Sequence, residues 1–308
     1  MNSASIVVIG SSNTDMVIKA SHLPKPGETI LGGTFFMSAG GKGANQAVAA
    51  ARLGAPVSFI AKTGYDIFGK QAIELFEKEG IDVSGILRDK FQPSGVALIT
   101  VDDNGENCIV VAPGANAALN PEDIDQFREK IEDASLLLMQ LETPIETVEH
   151  VADIAVSKKI ALMLNPAPAA KLNDDLLKKI SIITPNQKEA EMLTGIKVTN
   201  ESSARDAAMF LDNKGIETVI ITMGAMGAFV LHEKESAMIT GHKVHVVDTT
   251  AAGDVFNGAL AVALCEKLKL KQAVAFACRA AAISVTRLGA QASAPYREEL
   301  ERFDTANV

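Results

Sequence analysis

Asp248-Thr-Thr-Ala-Ala-Gly-Asp254, running on into Val-Phe-Asn-Gly-Ala-Leu260, decides how this chain is read. Small residues with unobstructed backbone lead directly into an apolar run of helical character. The amides of a helix's first turn have no partner inside the helix, so together they form an anion site. Asp254, a carboxylate set at that end, can take a proton from a hydroxyl while the amides stabilise negative charge on a transferring group. Those are the minimum parts for phosphoryl transfer to an alcohol.

Outward from that stretch, short apolar runs alternate with longer helical patterns. Ile6–Ile9, Val57–Ala61, Leu136–Leu141, Ile160–Leu164, Ile180–Thr184 and Thr218–Thr222 predict strands. Ala44–Leu53, Ile67–Glu79, Pro121–Ile131, Thr147–Ser157 and Ser202–Lys214 predict helices among them. Continuous apolar strands alternating with helices imply a mostly parallel central sheet covered on both faces, a three-layer α/β/α fold. One domain over residues 1–308 accommodates it. Two regions break the rhythm. Met16–Ala20 with Glu28–Ser38 reads as extended chain around Pro24, Pro26 and Gly27. Gly95–Val101 and Cys108–Ala112 flank Asp102-Asp-Asn-Gly-Glu106, which carries turn chemistry. Together, over about residues 14–40 and 93–112, they predict a small β-sheet projecting from the main domain. Such a sheet is marginal alone, which implies a lid or a dimer contact.

Hydrophobic residues make up 47% of the chain, enough for a sizeable core, and the net charge is −9. An acidic chain is a poor nucleic-acid binder, because backbone phosphates want a basic face. A small anionic nucleotide remains compatible if amides, a lysine and a divalent cation offset the charge locally. The cysteines Cys108, Cys265 and Cys278 are odd in number, far apart and without a C-x-x-C pair, as in a reduced, cytoplasmic protein with no cysteine metal site. No signal-peptide order opens the sequence, and Ile6–Ile9 is too short for a membrane span.

In open parallel sheets, ligands bind beyond the carboxyl ends of the strands. Polar residues recur there: Asn13 and Asp15 after the first strand, Glu142, Asn165, then Asn186 and Glu189. Any one is an ordinary loop residue; several on one edge suggest a cleft for hydroxyls and metal. Ala39-Gly-Gly-Lys-Gly-Ala-Asn45 places Lys42 and Asn45 among glycines before an Ala-rich helix, and reads as a ligand loop. Thr222-Met-Gly-Ala-Met-Gly227 reads either as a hairpin or as a glycine floor under a nucleotide. Gly64-Tyr-Asp-Ile-Phe-Gly-Lys-Gln71 imitates a Walker loop, but Gln71 stands where the magnesium-binding hydroxyl belongs. It reads as a structural turn with Asp66 capping the helix. His242 and His245, at i and i+3 on an expected strand, face opposite ways and read as surface residues.

The sequence resembles the ribokinase family of carbohydrate kinases nearly end to end. The resemblance rests on Ser12-Asn-Thr-Asp15, Gly40-Gly-Lys-Gly-Ala-Asn45, Asn165-Pro-Ala-Pro168, Asn186-x-x-Glu189, Asp248-Thr-Thr-Ala-Ala-Gly-Asp254 and Thr286-Arg-x-Gly-Ala-Gln291. It implies ATP-dependent phosphorylation of D-ribose at O5. Asn13, Asp15, Gly40, Gly41, Lys42, Asn45 and Glu142 would hold the sugar, with Asp254 as general base. Ala251, Ala252 and Gly253 would offer amides to the phosphoryl group. Asn186 and Glu189 would organise the Mg2+–phosphate network, and Thr222, Gly224, Gly227 and Cys278 would line the ATP. A K+ site would use Asp248, Thr250, Ser284, Arg287, Gly289 and Ser293, several through backbone carbonyls. The small sheet would be the lid and the homodimer contact. Two residues depart from the family pattern. Ala251 stands where many members have Gly, and its amide is expected to serve with φ below zero. Cys278 stands where relatives often have His or Asn beside the adenine.

Other acceptors fit the same parts: deoxyribose, fructose or a nucleoside such as adenosine. A nucleoside would want an aromatic wall, and the chain has no Trp and two Tyr; Phe35, Phe36 and Ile109 are the remaining candidates. A silent sugar-binding protein of the same fold would be expected to have lost Asp254 or the small-residue amides, and both are present.

Overall fold

The central sheet of the computed structural model, which describes residues 5–306, has nine strands. Their spatial order is β13 (Glu235–Thr240), β12 (Gly227–His232), β11 (Thr218–Thr222), β10 (Ile182–Ile183), β9 (Ala161–Leu164), β8 (Leu136–Met139), β1 (Ile6–Ile9), β4 (Val57–Gly64) and β5 (Asp82–Asp89). From β11 to β5 every pair is parallel. The β11–β12 and β12–β13 pairs are antiparallel.

Parallel central strands are buried on both faces, so they read as near-continuous apolar runs. Ile6-Val-Val-Ile9 illustrates the consequence. Ile6 and Val8 join one core with Val48 and Leu260, and Val7 and Ile9 join the other with Val151 and Leu162. Helices Lys42–Arg52, Ala252–Cys265 and Leu270–Ser284 cover the first face, and Ile145–Lys158, Gln187–Thr194 and Glu201–Asn213 cover the second. Small side chains let two of these helices approach closely. A Cβ on Gly258 would lie 2.7 Å from both the Ala49 Cβ and the Gln46 carbonyl oxygen. Among the described residues no helix is long and apolar enough to cross a membrane.

All six predicted strands form, four of them with shifted ends: Ile180–Thr184 contracts to Ile182–Ile183, for example, while Val57–Ala61 extends to Gly64. The predicted helix Pro121–Ile131 divides into Pro121–Asp125 and Arg128–Glu132, because Phe127 leaves helical geometry (φ −114, ψ 19) and packs on the core. Strands β5 and β13 carry no continuous apolar run, since they lie at the sheet's two edges and are only half buried.

A second sheet has the order β3 (Thr34–Gly40), β2 (Asn13–Lys19), β6 (Gly95–Val101), β7 (Asn107–Ala112). β2 and β6 pair in parallel and the other two pairs are antiparallel. The strand predicted to begin at Glu28 begins at Thr34 instead, because Pro24 and Pro26 remove donors and Gly27, Gly32 and Gly33 take positive φ. Polar anchors hold this sheet at its root. Asp66 caps helix Ile67–Lys78 by accepting from the Gly69 N–H at 2.9 Å. The same carboxylate accepts from the Ser94 N–H and Oγ–H, both at 2.7 Å, just before β6. The Walker-like stretch is therefore a structural turn. After β7, the Asn116 side chain bonds the Ser12 backbone and donates to the Asn13 Oδ1 at 2.8 Å.

Candidate active site

Asp254 is the third residue of helix Ala252–Cys265, whose N-cap is Ala251. Its side chain is 5% exposed. Oδ2 accepts from Asn45 Nδ2 at 2.9 Å and Oδ1 from Gln46 Nε2 at 3.0 Å. Burial pushes its pKa up; Lys42 and the two amide donors oppose that, and Glu142 adds to it. A carboxylate raised in this way is a better proton acceptor than a solvated one. The first-turn amides of Ala252, Gly253 and Asp254 have no acceptors within the helix, and Ala252 N–H reaches back to Thr249 O at 3.3 Å.

Ala251 corrects an expectation. Its φ is 58 and its ψ 11, the left-handed region, where negative φ was expected. A Cβ there is strained by about 1–2 kcal/mol. The turn that aims the first-turn amides dictates this conformation, which explains why glycine suits the position.

On the other side of Asp254 lies the loop before helix Lys42–Arg52. Gly41 has φ 90, and a Cβ on it would meet the Asn13 backbone N at 2.7 Å. A Cβ on Gly40 would fall 2.3 Å from an Asp15 carboxylate oxygen. These contacts bring Asn13 and Asp15, on β2, against the glycine loop. Glu142, beyond the end of β8, accepts from Ser11 Oγ at 2.5 Å and from the Lys42 N–H at 3.0 Å. Four carboxylates, Asp15, Glu142, Glu189 and Asp254, thus surround one lysine. Burial, then Glu142 and Asp254, push Asp15 up to about 6. Burial alone would lower the Lys42 pKa, but Asp254, Glu142, Glu189 and Asp15 reverse this and raise it.

Two cavities open on the opposite side. The smaller, about 210 Å³, is lined by Lys42, Asn165, Glu189, Thr249, Asn257 and the turn Ala251–Asp254. The larger, about 660 Å³, is lined by Thr222, Gly224, Gly227, Phe256, Cys278 and Val285. Asn186, Thr222, Ala252 and Gly253 border both, so the two are continuous. Asn186 and Glu189 form a capping box on helix Gln187–Thr194. Asn186 Oδ1 accepts from the Glu189 N–H at 2.9 Å, and Glu189 Oε2 accepts from the Asn186 N–H at 2.8 Å. This fixes the Glu189 carboxylate at the smaller cavity, where burial raises its pKa. The Thr222–Gly227 segment is a hairpin between β11 and β12, and its Thr222, Gly224 and Gly227 also border the larger cavity.

Asp248 gathers the expected cation residues in part. Its Oδ1 accepts from the Thr250 N–H and Oγ–H, at 2.9 and 2.6 Å, and its Oδ2 from the Gly289 N–H at 2.9 Å. Ser284 O accepts from the Arg287 N–H at 3.1 Å, and Ser293 Oγ donates to Ala290 O at 2.8 Å. The Arg287 guanidinium pairs with Glu299. Among the described residues no three His, Cys, Asp or Glu side chains converge on a metal position.

His242 and His245 lie in a segment without strand structure, contrary to expectation. His245 is exposed; His242 borders the larger cavity and packs edge-on against Phe303, ring centroids 5.3 Å apart. Cys278 is buried, with its thiol pushed up to about 12 by burial; Cys108 and Cys265 are also free. The sequence reading missed Ser11, Gln46, Asn116, Gln140, Thr184 and Asn257, all buried polar residues that touch the site residues. One signal was available for some of them: Gln46 and Asn257 are amides inside otherwise apolar helices.

The profile of the pfkB family carbohydrate kinases matches residues 3–297. The chain belongs to the pfkB family of carbohydrate kinases. Among pfkB relatives, it is 49% identical over 298 residues to the ribokinase of Haemophilus influenzae, covering 97% of each chain. It is 38% identical over 303 residues to the deoxyribokinase of Salmonella typhi, covering 98% of this chain and 99% of that one. Among solved pfkB-like structures, Arabidopsis thaliana ribokinase complexed with ribose and ATP superposes with a TM-score of 0.91 at 30% identity, over 98% of both chains.

Proposed function

We propose that this pfkB-family chain transfers the γ-phosphoryl group of ATP to O5 of D-ribose, giving D-ribose 5-phosphate and ADP. The observation that carries this reading is the buried Asp254 carboxylate, in the first turn of helix Ala252–Cys265 and between a carboxylate-rich polar cleft and two joined cavities. Ribose is favoured over deoxyribose by the greater identity to the ribokinase relative than to the deoxyribokinase one.

In the mechanism, Asn13, Asp15, Gly40, Gly41, Lys42, Asn45 and Glu142 hold the sugar hydroxyls, and Asn45 Oδ1, buried without a partner, is free to accept one of them. Asp254 removes the proton from O5 as O5 attacks in line. The amides of Ala252 and Gly253, with Ala251 shaping the turn, stabilise the equatorial oxygens. Lys42 adds positive charge on the shared border with the smaller cavity. The nucleotide's base lies in the larger cavity, against Thr222, Gly224, Gly227 and Cys278.

Mg2+ suits Glu189 and Asn186, because it keeps most of its waters and takes one carboxylate plus phosphate oxygens. The capping box with Asn186 pins the Glu189 carboxylate on the cavity. Asp248, Thr250, Ser284, Arg287, Gly289 and Ser293 would hold K+ in an all-oxygen set, where its charge would stiffen the turn that leads into Ala251. The small sheet over residues 14–40 and 93–112 acts as a lid and as a homodimer contact. Its support is the exposure of Ile18, Phe35, Met37, Leu98 and Val110 on one face and of Phe36, Ile109 and Val111 on the other, large apolar side chains clustered on one small sheet.

ADP release with ATP and Mg2+ over D-ribose, 2-deoxy-D-ribose, D-fructose and adenosine tests the acceptor, and exchange of K+ for Na+ tests the monovalent site. Highest turnover on ribose, falling in Na+, is expected. Turnover on another acceptor alone would replace the sugar assignment, and silence on all four would remove the kinase.

A further inference from the structure

The Asp254 carboxylate belongs to a closed ring of buried hydrogen bonds. Gln46 Nε2 donates to Asp254 Oδ1 at 3.0 Å and to Asn165 Oδ1 at 3.1 Å. Asn165 Nδ2 donates to Thr184 O at 3.0 Å, and Thr184 Oγ1 donates to Asn257 Oδ1 at 2.6 Å. Asn257 Nδ2 donates to Gly253 O at 2.7 Å, and Gly253 precedes Asp254. The ring therefore starts at the base and returns to the turn whose amides face the phosphoryl group. Gln46 has no freedom within it. Gln140 Nε2 donates to Gln46 Oε1 at 2.6 Å, so the amide oxygen is fixed on that side and the NH2 group must face Asp254 and Asn165. An inverted amide would set two oxygens against each other, one of them charged. Gln46 borders neither cavity and is fully buried.

We propose that Gln46 is a positioning residue for proton transfer: its amide holds the Asp254 carboxylate in one rotamer and locks it to the backbone of the helix's first turn. The inference rests on Asp254 being the general base. A network serving stability alone needs no member whose both donors are committed to one side, with one of them on the reacting carboxylate. Asn45 holds Oδ2 but also lies in the sugar cleft, so its loss mixes binding with positioning, whereas loss of Gln46 isolates positioning. Asp254 is also faced by Lys42, Glu142, Asp15 and Glu189. These groups stay in place when Gln46 changes, so they cancel in a comparison between variants.

The test measures pH profiles of kcat/KM and kcat for wild type, Gln46→Leu, Gln46→Glu and Asp254→Asn. Thr147→Val serves as a stability control, because Thr147 is buried, donates to Leu119 O at 2.6 Å and lies outside the site. Removing a donor to an ionised carboxylate should raise the acidic limb by about one unit or more. Gln46→Leu should lower kcat about 10- to 100-fold, as for a misplaced catalytic group, with the sugar KM within about twofold. Gln46→Glu, nearly isosteric, sets a second carboxyl against Asp254 and should raise the limb further; it decides the matter if Gln46→Leu does not fold. Thr147→Val should lower the melting temperature and leave the limb unmoved. An unmoved limb in the folded Gln46 variant overturns the inference. Normal turnover in Asp254→Asn overturns the general-base reading instead, so the two failures are distinct.

Discussion

Gly258→Ala separates packing from chemistry more cleanly than any substitution inside the cleft. Gly258 lies one turn beyond Asp254 on the same helix and faces helix Lys42–Arg52, which carries Lys42, Asn45 and Gln46. The new Cβ would sit 2.7 Å from both the Ala49 Cβ and the Gln46 carbonyl oxygen, and 3.0 Å from the Ala50 N. Carbon atoms settle near 3.5–4.0 Å, so the helices must part by about 1 Å. The hydrogen bonds from Asn45 and Gln46 to Asp254, at 2.9 and 3.0 Å, would then stretch beyond bonding range. Overpacking costs about 1–3 kcal/mol, and alanine in place of helical glycine returns about 1 kcal/mol. The net loss is about 0–2 kcal/mol, a few degrees in Tm. Turnover should fall about 100-fold, the usual consequence of a 1 Å displacement of reacting groups. ADP-release kinetics beside a thermal melt measures both. Adding Ala49→Gly should restore turnover only in part, because the Gln46 carbonyl still obstructs. Wild-type turnover in Gly258→Ala would refute the argument, as would a loss of activity that merely follows the unfolded fraction.

Substitutions at three further positions follow from the same geometry. Asp15→Asn should abolish sugar binding yet raise the Tm of the sugar-free protein: with its pKa raised to about 6, the folded protein binds more protons than the unfolded chain between about pH 4 and 6, so wild type loses stability as pH rises through that window. The Tm gain should therefore be full above pH 6 and vanish towards pH 4; a gain independent of pH would contradict it. Asp66→Ala removes a helix cap and the carboxylate that holds Ser94, and should lower stability by about 2–4 kcal/mol in urea titration; a loss below 1 kcal/mol would mean that the root of the small sheet is held elsewhere. Ala251→Gly relieves the positive φ at the helix cap, offset by unfolded-state entropy, and should be neutral to about 1 kcal/mol stabilising with turnover kept, whereas Ala251→Val should lose turnover at least about tenfold.

The sequence disclosed the elements whose stability is local and missed those that depend on neighbours. Ile6–Ile9 is apolar throughout and Thr218–Thr222 has an apolar centre because both faces are covered, and the ends of both were legible to the residue. Edge strands β5 and β13 present a half-buried face and leave no such run. The glycine loop and the Asp248–Asp254 turn were legible because close approach and a free helix end restrict residue choice at the positions themselves. The conformation of Ala251 was not, since a left-handed alanine is specified by the turn around it and by nothing in its own side chain.

The same distinction orders the site. Asp254, Lys42 and Glu142 announce their chemistry by residue type, whereas Gln46, Asn165, Thr184 and Asn257 become a ring only when four separate parts of the chain are folded together. Each is an amide or hydroxyl that the core could not bury unpaired. Their pairing consumes both donors of Gln46, and one of those bonds is made to the carboxylate that must move a proton. A fold that needed only to satisfy buried polar groups could have used apolar residues here at no loss. Retaining them in a ring that closes on the first turn of helix Ala252–Cys265 means that the base and the amides facing the phosphoryl group move as one body. Asn165, Thr184, Asn257, Gly253 and Asp254 all border the smaller cavity while Gln46 lies behind them, so a nucleotide phosphate settling there bears on the same ring that holds Asp254.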